Sequence, residues 1–176
     1  MLLPMFSPSA GAEQTDTGLV IAGAGASVDT GSSPAWGTPG NIPASDDSDA
    51  TMGDSSAISS SDDLKGSSFG FAIATDATID GFEVAVEGAG FGTVNIIYVT
   101  LGKDDSTLGT PLTPSQALTS SDAVYTFGGS AELFGLSWTP AEVNASTFQA
   151  RIRVSTGGAF QSASIDAMWV RVYYTP

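Results

Sequence analysis

The sequence contains neither cysteine nor histidine. Without cysteine, no disulfide can staple the fold. Without histidine, Ser-His-Asp triads, Cys-His dyads, ordinary zinc sites and the commonest acid–base chemistry at neutral pH are all excluded. Basic residues are scarce as well. Five Lys plus Arg stand against nineteen Asp plus Glu, a net charge of −14. Five scattered cations cannot form the basic footprint of a nucleic-acid binder, and the same imbalance disfavours anionic membrane surfaces. No apolar run reaches the length of a membrane span. The opening residues, 1–6, are apolar but lack a basic start and are interrupted by Pro4 and then Pro8, so they do not read as a secretory signal.

Charged residues make up only 14% of the chain, below the roughly 25% of ordinary soluble domains. Ser, Thr, Gly and Ala fill the difference. Such a composition favours short strands and tight turns over solvated helices. The apolar share of 41% is enough for a core, and 176 residues suit one domain with or without a terminal arm.

Residues 1–62 differ from the rest. They hold five prolines, many glycines and an acidic, serine-rich run over 46–63. One short strand is expected at 18–22. Residues 1–33 read as an extended N-terminal arm lying on a partner or on its own sandwich, and residues 34–176 as the domain. Trp36 and Ile42 argue for docking.

From Leu64 the pattern has period two. Phe69, Phe71 and Ile73 share one face of an expected strand. Phe82, Val84 and Val86 point inward on the next, with Glu83 and Glu87 outward, and Gly81 marks a bulge at its start. A turn is expected over 87–90. Residues 94–101 read as a central strand, 107–121 as a long loop, and 124–127 as a short strand. Within 133–146 Thr139 can cap a helical turn, with Pro140 first in it and Glu142 at its positive end. Residues 148–154 alternate again, placing Arg151 and Arg153 outward. The last strand, 163–174, is expected to carry Ile165, Ala167 and Trp169 on one face. Six or seven antiparallel strands without helical periodicity give an all-β fold, an antiparallel β-sandwich or jelly roll.

Four segments carry a resemblance. They are Trp36-Gly-Thr-Pro-Gly-Asn-Ile-Pro-Ala-Ser-Asp46-Asp47 with Ala50-Thr51, Thr78-Ile-Asp-Gly-Phe-Glu-Val-Ala-Val86, the run from Tyr125 through Trp138 to Asn144, and Ile165-Asp166 leading into Val170-Arg-Val-Tyr-Tyr174. Together they resemble small jelly-roll virion proteins of tailed bacteriophages, over most of the chain. Phe134 stands where that pattern often has Trp. The resemblance implies a structural virion protein. The expected role is a capsid decoration (cement) protein on the virion, forming a homotrimer and binding the major capsid protein. The alternative is a tail-fibre or adsorption module that binds host surface glycan.

The candidate partner-binding residues are Leu2, Leu3, Met5 and Phe6 on the arm, and Arg151, Arg153 and Arg171 on the last two strands. Those arginines would pair either with a neighbouring subunit or with an adjacent strand. Asp46, Asp47, Asp49 and Asp54 could hold calcium, but their spacing does not match an EF-hand loop and a solvated acidic loop is the simpler reading. Glu83, Glu87, Glu132 and Asp166 are the carboxylates a glycosidase would need. Trp138, Trp169 and Tyr173 are aromatics that could stack on a sugar or fill a core. No catalytic residue, cofactor or metal is expected, and the chain reads as a non-enzyme.

Overall fold

A computed structural model describes residues 12–31, 34–53 and 60–176. Among the described residues, eleven strands form two antiparallel sheets. They are β1 Thr15–Asp16, β2 Val20–Ile21, β3 Ala24–Val28, β4 Ala50–Met52, β5 Asp63–Ser67, β6 Thr78–Phe91, β7 Val94–Gly102, β8 Gln116–Ala117, β9 Ala123–Gly129, β10 Gln149–Thr156 and β11 Ser162–Thr175. Sheet I runs β1-β11-β6-β9, with β2 and β4 also paired to β11. Sheet II runs β3-β5-β10-β7-β8. The chain is an antiparallel β-sandwich of the jelly-roll class, as its strand-rich, helix-poor pattern predicts.

One apolar core joins the two sheets. Sheet I contributes Phe82, Val84 and Val86 from β6 and Met168, Val170 and Val172 from β11. Sheet II contributes Leu64, Val99, Leu101, Ala150, Ile152 and Val154. Phe148 sits at the centre of an aromatic cluster, with ring centroids 5.5–5.8 Å from Trp138, Phe69, Phe71 and Phe82. These contacts combine a large buried area with edge-to-face and offset-stacked geometry.

The N-terminal segment lies on its own sandwich over its described part. β1, β2 and β4 pair in succession along one edge of β11, whose other edge is paired to β6 throughout. The chain then changes sheets in a single step. Ala22 N donates to Met168 O of sheet I, and Gly23 N donates to Ser67 O of sheet II, each at 2.9 Å. A Cβ on Gly23 would fall 2.5 Å from Ser68 O, so the crossing needs glycine. Trp36 and Ile42 are buried as anticipated, and Trp36 Nε1 donates to Asp62 O at 2.9 Å.

Several local expectations change. Residues 69–73 form no strand, yet Phe69, Phe71 and Ile73 are buried in alternation with exposed neighbours. A side chain supplies the missing partner: Asn144 Oδ1 accepts from Ile73 N, and its Nδ2 donates to Ile73 O. The turn expected at 87–90 is strand, and the reversal comes at Gly92-Thr93. Gly88 and Gly90 serve close packing instead, because a Cβ would meet Ser164 O at 2.4 Å and Leu118 Cβ at 2.9 Å. Inside the expected long loop lies the short β8. Two readings hold closely. The register shift that sets Ile79 and Gly81 against consecutive residues of β11 is a bulge at the start of β6. Pro140–Val143 (α1) is a helical turn with a full capping box between Thr139 and Glu142.

Candidate functional site

The bulge in β11 creates the site. Ile165 pairs with Gly88 and Ala167 with Glu87, so Asp166 is an extra residue that reverses the alternation. Ile165 therefore points into the core with Met168, Val170 and Val172. Ala167 and Trp169 point to the outer face of sheet I. The expectation that Ile165, Ala167 and Trp169 share one face is thus corrected. Asp166 is buried, and its Oδ1 accepts from Asp46 N at 3.3 Å.

Pairing register fixes the rest of that face. Trp169 lies opposite Ala85, which lies opposite Thr126. Ala167 lies opposite Glu87, and Arg171 opposite Glu83. Tyr173 follows beside Gly81 and Asp16. At the other end, Ser164 stands between Thr51 and Ala89, and Ser162 opposite Phe91. Here a depression of about 290 Å³ is lined by Thr51, Gly90, Phe91, Ser120, Ser162 and Ser164 among others. Phe91 itself is 70% exposed. The face thus carries a partly exposed Trp beside the fully buried Ala85 and Ala167, with Pro43 bridged to Ala167, hydroxyl groups at one end and polar groups of both signs at the other.

The charged groups on this face are held. Ser45 Oγ donates to Glu87 Oε2 at 2.7 Å. Arg171 lies 3.9 Å from Glu83 and 3.6 Å from Asp16, and its Nη1 donates to the Tyr173 hydroxyl at 3.4 Å. That hydroxyl and the two carboxylates raise the pKa of the guanidinium. Beside the face, burial pushes the Asp49 carboxyl above its ordinary range, with Asp122, Asp166 and Asp47 adding repulsion against a Ser164 bond that lowers it.

The other expected site residues fall elsewhere. Leu2, Leu3, Met5 and Phe6 lie outside the described residues. Arg151 and Arg153 are on the outer face of sheet II, and both reach Asp63, at 3.7 and 2.8 Å. Arg151 also reaches Asp105 at 2.6 Å, and Arg153 stacks over Tyr98 at 4.8 Å. All three arginines therefore find carboxylates of their own chain on adjacent strands or loops. Trp138 is buried in the core, its Nε1 donating to Leu133 O. Glu132 accepts from Phe134 N at 2.7 Å, where Phe134 takes a left-handed φ of 52°. Asp54 is outside the described residues, and no group of acidic residues suited to a metal occurs among the described residues. No helix among them is long and apolar enough to cross a membrane.

Sequence reasoning missed Phe91 and Phe160, which are 70% and 74% exposed. The signal was present: Phe91 directly precedes Gly92, and Phe160 follows the Gly157-Gly158 pair by two residues, so each sits at a glycine-marked chain reversal.

No protein-family model matches the chain, and no curated protein sequence matches it. Solved structures do. TmCBM61 in complex with β-1,4-galactotriose is similar at 11% identity and a TM-score of 0.42, over 94% of this chain and 88% of that one. The xylan-binding module CBM15 is similar at 11% identity and a TM-score of 0.41, over 93% and 97%. A CBM4 structure is similar at 15% identity and a TM-score of 0.35, over 89% of each. These are carbohydrate-binding modules of the β-sandwich type, not virion proteins. The expected capsid-decoration role is corrected accordingly: of that resemblance, only the jelly-roll class stands.

Proposed function

We propose that this chain is a non-catalytic module that binds glycan on the outer face of sheet I. The single observation that carries the reading is Trp169, which the Asp166 bulge turns outward beside Ala85 and Ala167. A sugar presents an apolar C–H face and a rim of hydroxyls. An aromatic ring suits the first, and Trp169 stays partly exposed beside the fully buried Ala85 and Ala167. Thr51, Thr126, Ser162 and Ser164, with Glu83, Glu87 and Tyr173, suit the second as donors and acceptors.

The non-catalytic part of this reading is supported by how the four candidate carboxylates are used. Glu83 faces Arg171, Glu87 accepts from Ser45, Glu132 accepts from Phe134 N, and Asp166 is buried against Asp46 N. Each is occupied in holding the fold. A glycosidase needs two carboxyl groups free to flank one scissile bond.

Electrophoresis of the protein through gels containing soluble polysaccharides tests the proposal. Retardation by at least one polymer is expected, and Trp169→Ala should weaken it about tenfold or more, as loss of a central aromatic anchor does. Retardation that Trp169→Ala leaves unchanged would place binding elsewhere and sink this site.

A further inference from the structure

Every cation of the sequence is already neutralised from within. The five basic side chains are Lys65, Lys103, Arg151, Arg153 and Arg171. Lys65 pairs with Asp105, Lys103 with Glu142, Arg151 with Asp63 and Asp105, Arg153 with Asp63, and Arg171 with Asp16 and Glu83. Of these only Arg171 belongs to the outer face of sheet I, and there two carboxylates flank one guanidinium. Glu87 adds a further negative charge on the same face, and the chain as a whole carries −14.

A glycan bearing carboxylate or sulfate groups would need a cation to replace the hydration it loses on binding, because an unpaired buried charge is costly. The one cation on this face, Arg171, already has its charge offset by Asp16 at 3.6 Å and Glu83 at 3.9 Å, and the other four are paired away from it. Beyond contact distance, the net field also opposes the approach of a polyanion. Resting on the glycan-binding reading above, we infer that the ligand is an uncharged glycan, and that the same face rejects polysaccharides carrying uronate or sulfate. Selectivity comes from repulsion and missing partners, and needs no contact tailored to the neutral polymer.

The test uses the full chain and matched polymers that share a backbone: hydroxyethyl cellulose against carboxymethyl cellulose, and neutral galactan against the same galactan after chemical sulfation. Affinity is measured at low and high salt. For whichever neutral polymer binds, its acidic counterpart should bind about tenfold more weakly or worse at low salt. That gap should narrow with added salt, as the screening length shrinks from about 30 Å at 0.01 M to about 3 Å at 1 M. Equal or tighter binding of the acidic polymer at low salt would overturn the inference while leaving glycan binding intact. A gap that salt does not change would also overturn it, by showing that charge is not the cause. If no polymer of either kind binds under any condition, the failure lies with the glycan-binding reading itself.

Discussion

Asp63 and Arg151 lie 3.7 Å apart with side chains only 4% and 5% exposed, a buried ion pair on the outer face of a sheet. Asp63 also holds Arg153 at 2.8 Å. One carboxylate thus serves two guanidinium groups on β10. Removing it leaves Arg151 with Gln149 Oε1, and with the exposed Asp105 as its only carboxylate. Asp63→Ala should therefore lower stability by about 3 kcal/mol or more, as when one member of a buried pair is deleted. The Lys65–Asp105 pair is different, since Asp105 is 68% exposed. Lys65→Ala should cost less than about 1 kcal/mol. Urea denaturation of both variants checks the contrast.

Phe148 is in ring contact with Trp138, Phe69, Phe71 and Phe82 and is 1% exposed. Phe148→Ala should destabilise by about 3–5 kcal/mol, from lost transfer energy and the cavity left behind. A drop below about 1 kcal/mol would mean that the cluster is not packed as described.

Asp49 titrates against the fold. Its folded-state pKa is raised, first by burial and then by neighbouring carboxylates. Ionising it therefore costs stability at neutral pH, and the cost disappears as pH falls through the raised value towards the unfolded one. Asp49→Asn should raise the Tm at pH 7, and the gain should vanish near pH 4. A gain that persists at low pH would assign the effect to something other than charge.

Asp105 and Glu142 act in the opposite sense. Hydrogen bonds from Lys65 and Lys103, respectively, hold their carboxyl groups below the ordinary range. A depressed carboxylate stabilises the fold above its unfolded pKa, and that stability is lost as pH falls through the folded value. The loss should begin near pH 4 and continue below it. Pairing Asp105→Asn with Glu142→Gln should flatten the Tm profile in that window and leave a smaller acid-induced drop.

Phe91 stands exposed at the hydroxyl-lined end of the proposed binding face. Phe91→Ala should weaken polysaccharide binding severalfold while leaving the Tm unchanged, because the ring buries little in the folded chain. Phe160 is a control: it is equally exposed but does not line that depression. Phe160→Ala should leave binding unaltered. Calorimetry of both variants with the same polymer distinguishes them.

The sequence by itself determined the all-β class, the inward faces of β6 and β10, the capped turn at Thr139, and the exclusion of histidine- and cysteine-based chemistry. These are local matters. Alternation along one strand, a Thr-Pro-x-Glu cap and a missing residue type are each legible without knowing what packs against what. What only the tertiary structure decided is everything that depends on pairing. The Asp166 bulge cannot be seen in a run of alternating residues, because it appears only when β11 is laid against β6. Yet it alone sends Trp169 outward and Ile165 inward. Gly88 and Gly90 looked like turn residues because glycine marks turns and tight packing alike, and only Ser164 and Leu118 tell the two apart. For the arginines of β10 and β11 the sequence left a neighbouring subunit and an adjacent strand equally open. Their carboxylates come from residues 16, 63, 83 and 105, far apart in the chain, and long-range pairing of that kind is set by the fold.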